Sequence, residues 1–220
     1  MKSLSLSRPL LIMLIGLPGS GKSFFARQFA STFSAPLISV DFIRHTLVPE
    51  SNYTLEEDEV IGELAEAQLA ELLKTERTII IDGGVNTTAG RQSVVTMAQK
   101  HNYGVLLIWV QTDQMTAEYR STRRNKRRKG DELNSPMQSD AFTASVRAFE
   151  RPTKREDFVV VSGKHTFATQ VRVVLKKIVA PREGAVVKTP LVVQGMRPHT
   201  PNTSTLAQQK NRPNRNLRVS

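Results

Sequence analysis

Eight residues in unbroken order, Gly16-Leu17-Pro18-Gly19-Ser20-Gly21-Lys22-Ser23, have types and spacing suited to one kind of chemistry. They follow the pattern G-x-x-x-x-G-K-[ST]. Its glycines let backbone N–H groups turn inward on phosphate oxygens, and the loop delivers those oxygens to a helix N-terminus where the dipole favours anions. Lys22 is placed to reach the β- and γ-phosphates of a nucleotide, and the Ser23 hydroxyl is a hard oxygen donor suited to Mg²⁺. The loop Gly16–Ser23, with Phe24 next in line, is therefore expected to hold ATP.

Moving a phosphoryl group onto a hydroxyl further needs a base beside the acceptor. Asp41 follows the short apolar run Leu37–Val40, at a strand end where ligands of open α/β sheets gather. The same residue is also placed to cap the helical turn Phe42–Leu47. Arg44, one helical turn on, is spaced either to steer an anionic acceptor or to serve as an ordinary surface arginine. Asp82 ends Thr78-Ile79-Ile80-Ile81, the strand-then-acid form of a Walker B element that holds Mg²⁺ through water, although Gly83-Gly84 equally mark a turn there. Arg91, on the helix that follows, is a further candidate for the acceptor side.

Arg120 and Arg124 are four apart in a segment whose pattern predicts a helix over Thr116–Lys129, which sets them on one face. The stretch Ala117–Lys129 holds seven bases and one acid. Arginine forks match phosphate geometry, so the strip reads either as a lid that neutralises charge on the transferred group or as a solvated basic face. Mutual repulsion in the absence of an anion favours the lid.

The elements that must position these groups alternate in type. Buried-strand patterns fall at Leu10–Ile15, Leu37–Val40, Thr78–Ile81, Val105–Val110 and Phe158–Val161. Helical spacing covers Lys22–Phe33, a long helix opened by the capping box Thr54-Leu-Glu-Glu57 and running to about Thr75, then Thr88–His101, Asp140–Phe149 and Phe167–Val179. In the long helix Val60, Leu64, Leu69 and Leu72 are expected to face inward. Strands alternating with helices imply right-handed crossovers and a parallel five-stranded α/β sheet covered on both faces. Trp109 belongs to a core strand. The four histidines are scattered and form no metal constellation.

Charge sorts the chain into regions. Residues 1–180 hold 24 Lys/Arg and 19 Asp/Glu, whereas 181–220 hold 7 and 1; Glu50–Glu76 alone carries nine acids and one base. The expectation is a kinase-sized domain over 1–180 and a basic, proline-containing, disordered tail over 181–220. The absence of cysteine excludes disulfides and suits a cytoplasmic setting. The apolar stretch Pro9–Ile15 behind Lys2 is too short for a membrane span and leads straight into the glycine loop, so no membrane partner is expected. The basic strip and tail are attractive to nucleic acid.

These segments together resemble the P-loop kinase family that is similar to the kinase domain of polynucleotide kinases. The likeness runs from about Leu10 to Val179 and includes the loop Gly16–Ser23, the segment Ser39-Val-Asp41-Phe-Ile-Arg44, and the strand and turn Ile79–Asn86 with Arg91 beyond. It also takes in Arg120-x-x-x-Arg124 and Phe149-Glu150-Arg-Pro152. The resemblance implies a three-layer P-loop NTPase fold like that of nucleoside monophosphate kinases, with an arginine-rich lid. It implies Asp41 as general base, Arg44 on an acceptor phosphate, a lid arginine at Arg120 or Arg124, and adenine near Ser162–His165, including Gly163. The expected activity is ATP- and Mg²⁺-dependent transfer to a hydroxyl of a small molecule or of a nucleic acid 5′ end. Two rivals stand beside it: a toxin-type kinase acting on a nucleotide sugar, whose second acid near Asp41 is missing here, and a nucleotide-gated nucleic-acid-binding protein with incidental ATPase activity.

Overall fold

The first strand, β1 (Leu10–Ile15), is buried along its whole length, and its alternating side chains divide the core in two. Leu11, Met13 and Ile15 face one side, with Ile38, Ile61, Leu69, Leu73, Val94 and Leu107; Leu10, Ile12 and Leu14 face the other, with Phe25, Phe29, Ile108 and Val174. This is the period-2 alternation of a strand covered on both faces, and each aliphatic side chain so buried contributes about 2 kcal/mol. The computed structural model describes residues 8–49, 51, 54–125 and 136–179. The expected tail 181–220 lies outside the described residues.

The chain runs β1, α1 (Lys22–Phe33), β2 (Leu37–Ser39), α2 (Val40–Leu47), α3 (Leu55–Leu73), β3 (Ile79–Asp82), α4 (Thr88–Lys100), β4 (Gly104–Gln111), α5 (Gln114–Thr122), α6 (Ser139–Ala148), β5 (Phe158–Ser162) and α7 (Phe167–Val179). The five strands form one parallel sheet in the order β2-β3-β1-β4-β5. The fold is a three-layer α/β P-loop fold: the alternation of elements predicts the parallel sheet covered on both faces, and the family resemblance implies the P-loop arrangement. β1 and β3 are adjacent and in register, with Leu14 opposite Asp82, so the loop after β1 and the acid closing β3 emerge at the same sheet edge. Ligands of open parallel sheets gather at this carboxyl edge.

Two boundaries and one helix face differ from the sequence reading. The hydroxyl of Ser39 accepts the Phe42 N–H (3.3 Å), so β2 stops at Ser39 and Asp41 lies inside the first turn of α2, neither at a strand end nor at the cap. The segment read as a helix to Lys129 ends as α5 at Thr122, with Arg123 as its C-cap. A longer helix would set Arg120 beside Arg124 at i,i+4, a repulsive spacing for like charges. On α3 the cap is as expected, Thr54 accepting from Glu57 N, and Leu69 is buried and Leu72 partly buried as expected, but Val60 is 54% and Leu64 39% exposed, and Ile61 and Leu73 complete the buried face.

Candidate active site

The phosphate loop is built between β1 and α1 and held on three sides. Gly19 has φ +76°, and a Cβ there would lie 2.1 Å from the Ala117 carbonyl oxygen, so α5 packs directly on the loop backbone. Gly163, just after β5, presses on the opposite side: a Cβ on it would lie 1.9 Å from the Ser20 carbonyl oxygen. Thr112 donates its hydroxyl to that same carbonyl (3.0 Å), and the Asn86 side-chain carbonyl accepts the Gly16 N–H (3.1 Å). Glycine is required at both close approaches for want of room. Gly21 precedes α1 in a left-handed conformation (φ +104°), leaving the helix N-terminus open to an anion. Gly163, expected near adenine, packs against the phosphate loop.

Lys22 folds over the loop and donates to the carbonyls of Gly16 (2.8 Å) and Leu17 (2.9 Å). Burial pushes its ammonium below the usual lysine range; Asp82 and Asp41 pull it back up, and Arg124 adds a smaller downward push. Burial likewise raises the Asp82 carboxyl, against the opposing effects of Lys22, a hydrogen bond from the Ser23 hydroxyl and Arg27, with Asp41 reinforcing the rise. Asp82 is 5% exposed. Lys22, Ser23, Asp41 and Asp82, drawn from α1, α2 and β3, therefore share one electrostatic neighbourhood. Desolvation dominates both shifts, so the charged forms of Lys22 and Asp82 are held away from water. Ser23 and Asp82 present adjacent hard oxygens, a donor set that fits Mg²⁺.

The arginines near α5 point in three directions. Arg120 donates to the Gly163 carbonyl (3.1 Å), so it ties α5 to the loop after β5. Lys164 and Asp113 close a second link between the same two segments (2.5 Å). The Arg123 guanidinium lies over the Tyr119 ring, 4.7 Å from its centroid. Arg124, beyond the helix end, is the one that acts on Lys22. The expected single helical face of Arg120 and Arg124 is not formed, because the helix ends between them. Lys126–Lys129 lie outside the described residues.

Arg44 and Arg91 both differ from the acceptor-facing arginines expected. Arg44 is buried and pairs with Asp58, with Glu57 at 3.7 Å and Ser51 Oγ at 3.5 Å, so it joins α2 to α3. Arg91 is 1% exposed and spends its donors inside the protein: on Glu156 (2.6 Å), on the carbonyls of Asn86 (3.2 Å) and Glu150 (3.1 Å), and on Thr88 (3.2 Å). Arg91 therefore cross-links the β3–α4 turn to the segment before β5. The Glu150 carboxylate caps α4 through the Thr88 N–H (2.7 Å), which accounts structurally for Phe149-Glu150-Arg-Pro152. Asn86 is the contributor that side-chain reasoning missed. It lay in the quoted segment Ile79–Asn86, but no local signal says that its amide would reach a loop 70 residues earlier.

The comparisons with known proteins agree with this architecture. A family model described as an AAA domain matches residues 11–152. No curated protein matches the sequence. Among solved structures, a gluconokinase from Sinorhizobium meliloti is similar at 18% identity and TM-score 0.56, over 77% of this chain and 91% of that one. The Mycobacterium tuberculosis APS kinase CysC, in complex with AMPPNP and APS, is similar at 15% identity and TM-score 0.56, over 79% and 99%. A chain of the Pnkp1/Rnl/Hen1 RNA repair complex is similar at 24% identity and TM-score 0.55, over 66% of this chain and 45% of that one. At these identities the likeness is one of fold. Among the described residues no helix is long and apolar enough to cross a membrane.

Proposed function

This chain belongs to the AAA domain family, a P-loop kinase family, and from that premise we propose that it transfers the γ-phosphoryl group of ATP to an acceptor hydroxyl. The observation that carries this reading is the meeting of Lys22, Ser23, Asp41 and Asp82 around one phosphate loop. The loop N–H groups and Lys22 bind the triphosphate. Ser23 and Asp82 would hold Mg²⁺, which would supply neutralisation of phosphate charge. Asp41 accepts the proton of the acceptor hydroxyl as its oxygen bonds to the γ-phosphorus, the bond to the β-phosphate oxygen breaks, and ADP leaves. Arg124 compensates charge on the transferred group, while Arg120 holds the loop after β5 against α5.

Acceptor-dependent ATP consumption that disappears in Lys22→Ala is the expected result with purified protein and Mg²⁺. Slow ATP turnover that ignores every acceptor, unchanged when nucleic acid is bound or absent, would overturn the kinase reading. Turnover that responds to nucleic acid binding without phosphorylating it would favour the nucleotide-gated binding protein.

A further inference from the structure

Resting on the kinase reading above, we propose that the acceptor is a cationic hydroxyl compound, an amine-bearing polyol in chemical class, and not an anion. Arg44 is the arginine of α2, one turn beyond Asp41, where an anionic acceptor would need its counter-charge. It is already neutralised. Asp58 and Glu57, from the first turn of α3, bind its guanidinium, and Glu57 also accepts the Ser51 hydroxyl (2.5 Å).

An incoming anion would have to displace carboxylates tethered beside Arg44, and would leave the Glu57 side chain, 19% exposed, without its cation. Stripping Arg44 from the largely buried Glu57 is costly, while Asp58, 53% exposed, competes as a tethered partner at high effective concentration. The surrounding charge has the same sense. Beside Arg44 the chain sets Asp41 on α2 and Glu57 and Asp58 on α3, three carboxylates to one guanidinium, and the field of such an imbalance favours cations over a Debye length of about 8 Å. Phe42, next to Asp41, is 55% exposed and offers an aromatic face, which attracts a cation and gives nothing to an anion. Lys22, Arg124 and Arg27 are the cations of the phosphate-loop cluster, Arg124 acting on Lys22 and Arg27 on Asp82.

The test uses three linear six-carbon polyols that differ mainly in charge: N-methylglucamine (cation), sorbitol (neutral) and gluconate (anion). A 5′-hydroxyl oligonucleotide is added as a polyanion. Phosphorylated product is measured for the full chain with ATP and Mg²⁺. The expected order of kcat/KM is N-methylglucamine, sorbitol, gluconate, with at least about tenfold between the ends, a gap that narrows as salt rises from about 20 to 200 mM. Asp58→Asn, which loosens Arg44 from its partner, should move the gluconate to N-methylglucamine ratio about tenfold towards gluconate, with Tm followed to exclude misfolding. Glu57→Gln should move it in the same direction. A wild-type preference for gluconate or the oligonucleotide, or folded variants that leave the ratio unmoved, overturns the charge assignment while the kinase reading stands. ATP binding without transfer to any of the four acceptors overturns the charge assignment, whereas the kinase reading falls only if ATP turnover ignores every acceptor.

Discussion

Two buried cations in this molecule are treated in opposite ways. Arg91 is sealed between α4 and the segment before β5, with a carboxylate and several carbonyls arranged around its fork. Lys22 is also desolvated, but it donates to two carbonyls of its own loop, and burial outweighs the pull of Asp82 and Asp41. A guanidinium whose donors are met by the protein is a finished cross-link, and it stabilises the fold. An ammonium whose charge the protein leaves undercompensated is poised for an anion from outside. The lesson is that burial alone does not separate a structural charge from a working one, whereas completeness of its hydrogen bonding does.

Breaking the working side should cost activity without a matching loss of fold. Lys22→Ala is expected to lower phosphoryl transfer about a thousandfold or more, while Tm changes little, because removing an undercompensated buried charge also removes its desolvation cost. Kinetics and thermal melting on the same preparation check this. A drop in Tm as large as the loss of activity would put Lys22 in the same class as Arg91.

The reciprocal experiment is Arg91→Met. It should cost about 3 kcal/mol of stability by leaving Glu156 without its cation and several carbonyls without their donor, read as a lower denaturation midpoint in urea. ATP affinity should fall less, and only through the Asn86 turn that Arg91 holds. Acid should reproduce part of this loss. Burial alone would raise the Glu156 carboxyl, but hydrogen bonds from Arg91 and Thr153 hold it below the usual glutamate range. Its folded form thus binds a proton less readily than its unfolded form. The contribution is present above the unfolded value and is lost as pH falls through the lowered folded value.

Asp41→Asn sharpens the working side. Turnover should fall about a hundredfold with ATP affinity nearly kept if Asp41 is the proposed base, which would meet only the acceptor proton. Equal losses in binding and turnover would reassign Asp41 to organising the loop.

The smallest expected effect is a displacement of the acid limb of activity. Because burial raises Asp82, the carboxylate should be lost on acidification at a higher pH than for an ordinary aspartate. A pH–rate profile at saturating ATP should therefore bend above the usual aspartate range, and raising Mg²⁺ should shift the bend downward.

By itself the sequence determined what depends on neighbours along the chain. The glycine-lysine-serine loop, the strand Leu10–Ile15 and the helices Lys22–Phe33 and Phe167–Val179 stand where residue type and period put them, since backbone freedom, apolar runs and helical spacing are local properties. Tertiary structure decided what each charged side chain meets. Arg91 and Glu156 are 65 residues apart, Arg120 and Gly163 are 43 apart, and Arg44 finds Asp58 only because α3 folds back on α2. It also decided the inward face of α3, where both Val60/Leu64 and Ile61/Leu69/Leu73 fit helical spacing and only docking on the sheet could choose between them. Arginine has similar intrinsic preferences in a lid, a helix pin and a core. Its role is set by the oxygens that long-range folding brings within reach, and no local pattern encodes those distances.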